Sequence, residues 1–278
     1  MPADPGSGRV CGVLGSPIAH SLSPVLHRAA YTALGLDWVY DAHDVNETAL
    51  PGFLAGLEPR WRGLSLTMPL KRAAVDLCDR VETRGALLRS VNTVVLEADG
   101  TKAGYNTDVV GMGRALRDAG VGALDTAVVV GGGATAASAL AAVAGLGAFA
   151  VTILVRSPER AAGLLELAAP LNLDLTLTPW HDAAQVAPGD VVISTVPADG
   201  QTETVTATAD LAPAVFDVVY APPVTPLLAA AQRRGATVIG GFELLLHQAA
   251  RQVELMTGTR TAPVAAMRAA GMQALGSR

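Results

Sequence analysis

Apolar residues recur along this chain in two alternating rhythms. Short runs such as Arg9 to Leu14, Thr126 to Val130 and Ala150 to Val155 are β-branched or nearly continuous in apolar residues. Strands buried on both faces read that way. Longer stretches place apolar residues three or four apart and predict helices over Ser23 to Leu34, Asp108 to Ala119, Ala136 to Leu146 and Phe242 to Met256. Gly35, Gly120 and Gly258 stand just beyond three of them, where a left-handed residue closes a helix. Further strands are expected over Trp38 to His43, Gly63 to Thr67, Asp190 to Thr195, Val215 to Val219 and Thr237 to Ile239, with a helix near Pro69 to Cys78. Val91 to Leu96 and Thr101 to Tyr105 flank Asp99-Gly100, a hairpin turn signal. Strands alternating with helices predict an α/β fold of two lobes, the last helices returning to the first lobe.

Composition narrows the function classes. Half of the 278 residues are hydrophobic and 16% are charged, so a sizeable core is expected rather than disorder. A net charge of -5 gives no broad basic field for nucleic acid or an anionic membrane. The polar, Gly/Pro-rich stretch from Met1 to Gly8 lacks the apolar core of a signal peptide, and no apolar run approaches the ~20 residues of a membrane span. Cys11 in an expected strand and Cys78 in an expected helix read as small core residues of a reducing compartment, with the cytoplasm as the expected location.

The candidate chemistry begins at Gly131-Gly132-Gly133-Ala134-Thr135-Ala136, between an expected strand and an expected helix. Strand, GxGxxA and helix together form the dinucleotide fingerprint. The first glycine allows a tight turn, the second a close backbone approach to the pyrophosphate, and a small third residue close packing of helix on strand. At the end of the next strand stand Arg156, Ser157, Glu159 and Arg160. Two guanidinium groups and a hydroxyl suit a 2′-phosphate, whereas an NAD site would place a carboxylate on the ribose there. The cofactor expected is NADP, with Glu159 the one residue that weakens the reading.

Three polar clusters in the first half follow expected strands, where ligands of open α/β sheets bind. The first holds Ser21 and Ser23, the latter a natural N-cap before Pro24, and both can donate to an anion. His20 and His27 show no metal-ligand spacing, and no metal is expected. The second runs from Ser65 through Thr67 to Lys71, and the third comprises Asn92 with Asn106, Thr107 and Asp108. Of 20 basic residues only Lys71 and Lys102 are lysines. An amine can exchange its proton near neutral pH where a guanidinium cannot. Taken alone, Lys71 reads equally as a solvated lysine and Asp108 as a helix cap. Together they offer the proton carrier and carboxylate that reduction of a carbonyl requires.

These motifs, in order, resemble the shikimate dehydrogenase family along nearly the whole chain. The matching stretches are Gly15 to His27, Gly63 to Lys71, Val91 to Thr93, Gly104 to Gly111, Val129 to Ala136, Asp217 to Pro222 with Thr225 to Leu228, and Gly241 to Gly258 with Gln248. The resemblance implies a substrate domain over 1–107 plus 243–278 and a Rossmann-type NADP domain over 108–242. It implies reversible, NADPH-dependent reduction of 3-dehydroshikimate to shikimate. Lys71 is then the acid/base and Asp108 its partner, while Ser21, Ser23, Thr67, Asn92, Tyr220 and Gln248 hold the substrate. By the same carry-over Gly131, Gly132, Gly133, Ala134, Arg156, Ser157, Arg160, Thr195, Val218 and Gly241 hold the cofactor. Ser65 and Val155 stand where the family often has asparagine, Ser157 where it has threonine, and Ser194-Thr195 where Asn-Ala is common. A quinate or aminoshikimate dehydrogenase, and a non-catalytic NADP or metabolite sensor, remain the alternatives. The expected partner is a small molecule, with the protein a monomer or homodimer.

Overall fold

The computed structural model describes residues 8–277. Its chain divides into two compact units, Met1–Thr107 with Leu246–Arg278, and Asp108–Leu245. The second division falls three residues later than the 242/243 boundary expected from sequence, inside one long helix.

In the first unit the strands are β1 (Arg9–Gly15), β2 (Trp38–Asp44), β3 (Trp61–Leu66), β4 (Arg80–Val81), β5 (Thr93–Leu96) and β6 (Lys102–Tyr105). The helices that precede the second unit are α1 (Ser23–Ala33), α2 (Leu50–Ala55) and α3 (Thr83–Leu87). The sheet order is β2-β1-β3-β5-β6-β4, parallel across β2-β1-β3 and antiparallel across β3-β5-β6. Alternate residues feed two cores. Leu14, Leu64, Leu66 and Val94 join Leu50, Leu54 and Leu70 on one side, while Cys11, Val13 and Val95 join Tyr31, Tyr40 and Met256 on the other. Burying each such large apolar side chain contributes roughly 1.5–3 kcal/mol. The hairpin turns where expected: the Asp99 carboxylate accepts from the Thr101 amide at 2.9 Å, and Gly100 takes a φ of +87°.

The second unit holds β7 (Thr126–Val130), β8 (Ala150–Val155), β9 (Asp174–Pro179), β10 (Val191–Ser194), β11 (Ala214–Asp217) and β12 (Thr237–Ile239). Its helices are α4 (Asp108–Asp118), α5 (Ala134–Ala144), α6 (Pro158–Ala161), α7 (Ala168–Leu171), α8 (Glu203–Ala207) and α9 (Pro226–Arg233). The sheet is wholly parallel in the order β12-β11-β10-β7-β8-β9. Counted from β7 as the first strand, that is the 3-2-1-4-5-6 order of dinucleotide-binding sheets. The chain winds one way from β7 and the other way from β10, so the carboxyl ends of these neighbours bound a crevice. After β12 come α10 (Gly241–Thr257) and α11 (Val264–Gly276), and α11 packs on α1 of the first unit.

Two sequence expectations fail here. No α-helix forms over Pro69 to Cys78; residues 68–74 are turns, followed by a 3-10 turn at Val75–Leu77. The Lys71 carbonyl accepts from the Val91 amide at 2.9 Å, and the Val75 amide turns to Arg72 instead. Tertiary pairing thus interrupts the ladder that a helix would need. Cys78 consequently sits in extended backbone after that turn. Among the described residues no helix is long and apolar enough to cross a membrane.

Candidate active site

In the first unit, two strand ends are brought together by a missing side chain. A Cβ on Gly15 would overlap the Thr67 methyl and lie 3.0 Å from the Met68 carbonyl. Glycine therefore lets the loop after β1 run beside the loop after β3, tied by Ser16 N–H to Met68 O at 3.1 Å and Thr67 N–H to Leu14 O at 2.9 Å. Ser21 and Thr67 lie on these adjoining loops, and Ser23 opens α1 just after the first of them. Ser23 is not the N-cap expected; Leu22 occupies that position and Ser23 is the first helical residue. The Ser21 hydroxyl instead accepts from the Ser23 amide at 3.2 Å, so Ser21 does the capping and Ser23 is left buried inside the first turn.

Asn92 precedes β5 and is buried. Its carbonyl accepts from Leu66 N–H at 2.7 Å, and its side-chain oxygen accepts from Thr107 N–H at 2.8 Å. Because a backbone N–H can only donate, that bond fixes which end of the Asn92 amide points inward. Its Nδ2 then donates to Gln248 Oε1 at 3.4 Å, joining the strand to α10. Lys71 is half-buried in the turn after β3, and its backbone is pinned to the segment leading to Asn92. The structure thus brings Asn92 and Gln248 into contact and anchors Ser21, Ser23, Thr67 and Lys71 on the loops around the same strand ends.

In the second unit, Gly131 follows β7 with a φ of +115°. A Cβ there would overlap the Thr195 hydroxyl, which donates to Val130 O at 3.0 Å. Gly131 and Thr195 are therefore held together at the two strands where the winding reverses. Gly132 packs against Ala161, and a Cβ there would come within 2.9 Å of it. A Cβ on Gly133 would meet nothing within 4 Å, and the 11-residue helix α5 opens directly after it at Ala134. A helix N-terminus behind a glycine turn is an arrangement that fits a pyrophosphate. Arg156 and Arg160 are exposed beyond β8, while the Ser157 hydroxyl donates to Glu159 at 2.8 Å. Its own amide and the Ser157 hydroxyl hold the Glu159 carboxyl below the usual range.

Val218 and Gly241 also meet. A Cβ on Gly241 would overlap the Val218 carbonyl, and Gly241 N–H donates to Val219 O at 3.2 Å. The sequence reading missed what shapes this loop. Asp217, wholly buried at the end of β11, accepts from Thr225 Oγ1 and Gln201 Nε2, each at 2.6 Å, and from Val219 N–H at 3.1 Å. Burial pushes its carboxyl up, and the three hydrogen bonds oppose that shift. The spacing of Asp217 and Thr225 around two prolines was the available signal. Tyr220 lies half-buried in the same loop, and Asp108 is buried at the start of α4.

The substrate-binding-domain model of shikimate dehydrogenase matches residues 13–94, and the C-terminal-domain model of shikimate 5′-dehydrogenase matches residues 241–270. A relative from Moorella thermoacetica, named shikimate dehydrogenase (NADP(+)), is 38% identical over 95% of this chain and 93% of its own. The chain belongs to the shikimate dehydrogenase family. Two solved structures are similar to it along nearly its whole length. The Thermus thermophilus shikimate 5-dehydrogenase in complex with NADP(H) and shikimate is 32% identical, with a TM-score of 0.83 over 96% of this chain and 100% of that one. The Corynebacterium glutamicum quinate dehydrogenase in complex with NAD is 28% identical, with a TM-score of 0.86 over the same shares.

Proposed function

We propose that this chain is an NADP-dependent shikimate dehydrogenase, reducing 3-dehydroshikimate reversibly to shikimate on the route to aromatic compounds. The observation that carries the reading is the match, along almost the full length of both chains, to a relative of that name. The glycine turn leading into α5 and the two exposed arginines after β8 support a phosphorylated dinucleotide. When bound, its nicotinamide supplies or accepts the hydride.

The chain's own residues do the rest. Lys71 gives a proton to the oxygen of the reduced carbonyl and takes it back in the reverse direction. Ser21 and Ser23 donate to the substrate carboxylate, and Thr67, Asn92, Tyr220 and Gln248 orient the ring. Asp108 accepts from the substrate hydroxyls. Gly131, Gly132, Gly133 and Ala134 receive the pyrophosphate, Arg156, Ser157 and Arg160 the 2′-phosphate, and Thr195, Val218 and Gly241 flank the cofactor. Residues 1–107 with 243–278 form the substrate domain and 108–242 the cofactor domain. Both thiols are free, which suits a cytoplasmic enzyme.

The test is oxidation of shikimate with NADP+ or NAD+, followed by absorbance of the reduced nicotinamide. Turnover with NADP+ is expected, and none with either cofactor would sink the proposal. Lys71→Ala should lower kcat on the order of 10²–10⁴-fold with KM for shikimate little changed, because a proton donor acts in the transition state. A rise confined to KM would make Lys71 a binding residue. The likeness to a quinate dehydrogenase favours a second reading, decided by kcat/KM for quinate against shikimate. An extra hydroxyl is weakly rejected by a pocket that has no group set against it.

A further inference from the structure

Behind Asn92 a second array of buried polar groups runs across the sheet of the first unit. The Tyr40 hydroxyl on β2 donates to Ser65 Oγ on β3 at 2.6 Å. Ser65 donates to Gln252 Oε1 on α10 at 2.8 Å. Gln252 Nε2 donates to Thr93 Oγ1 at 3.1 Å and to the Asn92 carbonyl at 3.3 Å. Thr93 Oγ1 donates to Asn92 Oδ1 at 2.9 Å. Tyr40 opens the series as a donor, and the Ser65 and Thr93 hydroxyls each accept from one side and donate to the other. The direction is therefore set throughout, and it ends with the Asn92 and Gln248 amides. All of these side chains are buried, where a broken link leaves a polar group without water to replace its partner. Gln252 lies four residues beyond Gln248 and so on the same face of α10.

We infer that Gln252 is a positioning residue for substrate: acting through Thr93 and the Asn92 backbone, it fixes the orientation of the Asn92 and Gln248 amides, with Ser65 and Tyr40 fixing Gln252 in turn. The inference rests on the proposed function, because it concerns how that substrate is held. Tyr40 also stacks on His27 at 3.9 Å between ring centres, and the His27 ring donates to the Ser23 carbonyl at 2.9 Å. One buried array thereby reaches both the serine loop and the amide pair.

Gln252→Met keeps the length of the side chain and removes both its acceptor and its donors. It should raise KM for shikimate on the order of ten- to a hundredfold, since small misplacements of positioning groups have effects of that size. KM for NADP+ should stay as in the wild type. A merely structural role is separated by the triple variant Tyr40→Phe/Ser65→Ala/Gln252→Met, which removes the donor series from Tyr40 through Gln252 and keeps the ring that stacks on His27. Its thermal midpoint should recover towards the wild type, because removing every partner along the series leaves fewer unsatisfied groups than removing one. Its KM for shikimate should stay high. An unchanged KM in Gln252→Met, or a KM that recovers together with the midpoint in the triple variant, would overturn the inference alone. Absence of shikimate turnover in the wild type would overturn the function it rests on, and the inference with it.

Discussion

Within α1 the ring of His27 is wholly buried, stacked on Tyr40, and spends its Nδ1–H on the Ser23 carbonyl. Its Nε2 is buried without a partner, so a second proton there would add a donor with no acceptor. Burial pulls its pKa down from 6.5 to about 4. A depressed value means that the unfolded chain takes up this proton first as pH falls. The stability is whole above 6.5 and is lost between 6.5 and about 4, by about 3 kcal/mol in all. His27→Phe keeps a ring for the stack and removes the titration. Unfolding free energies measured by urea from pH 7 to pH 4 should therefore fall less steeply for the variant. Equal slopes would show that His27 is not the group responsible. In the sequence His27 shows only a lack of metal-ligand spacing, because nothing local tells a stacked, desolvated imidazole from a solvated one.

Elements whose cues are local were legible. The Asp99-Gly100 turn, the glycine stops after α1 and α4, and the short strand β12 all lie where the residue pattern placed them. Elements decided by distant partners were not. The turn after β3 carries a helical pattern but surrenders the Lys71 carbonyl to Val91. Strand β9 alternates Leu175 and Leu177 with polar residues at the sheet edge, too weak a signal beside the continuous runs of β7 and β8. At the end of β11, Asp217 gathers three donors from one loop and its neighbour. Its raised pKa works opposite to that of His27. The folded chain holds the proton longer, so the associated stability is present below the usual carboxylate range and is lost as pH rises through the folded value. Asp217→Asn should remove that loss; its amide N–H stands where the carboxylate now accepts from Gln201 Nε2, and a turn of the Gln201 amide presents to it the Oε1 that is buried without a partner. Its stability relative to wild type should therefore climb from pH 4 to pH 7, and a constant difference over that range would contradict this account.

At the scale of the whole molecule, alternating strands and helices revealed the fold class and the two units, whereas the order of strands within each sheet was not readable from periodicity. Candidates such as Ser21, Thr67, Lys71 and Asp108 stand out in the sequence as distinctive polar types after expected strands. Tyr220, Gln248, Val218 and Gly241 are named only through the family resemblance, and Asp217, Gln201 and Gln252 escape because their meaning lies in what they touch. The proposed division of labour makes a spatial prediction. In hydrogen exchange, NADP+ should slow the amides of residues 131–134 in the second unit. Shikimate should slow those around Ser23, Thr67 and Asn92 in the first. Protection by NADP+ confined to the first unit would reverse the assignment.

The strand order of the second unit also bears on how its cofactor choice can be re-engineered. Arg156, Ser157 and Arg160 follow β8, on one side of the reversal, while Val218 and Gly241 adjoin β11 and β12 on the other. Between them stand the β7 and β10 ends, with Gly131 and Thr195 in contact. On the proposed assignment, a library that varies only residues 156–160 changes the adenosine end of the site and leaves the packing of Gly241 on Val218 untouched. A preference for the unphosphorylated dinucleotide can thus be selected as a modular trait, on a surface loop, with the hydride-transferring half of the scaffold inherited unchanged.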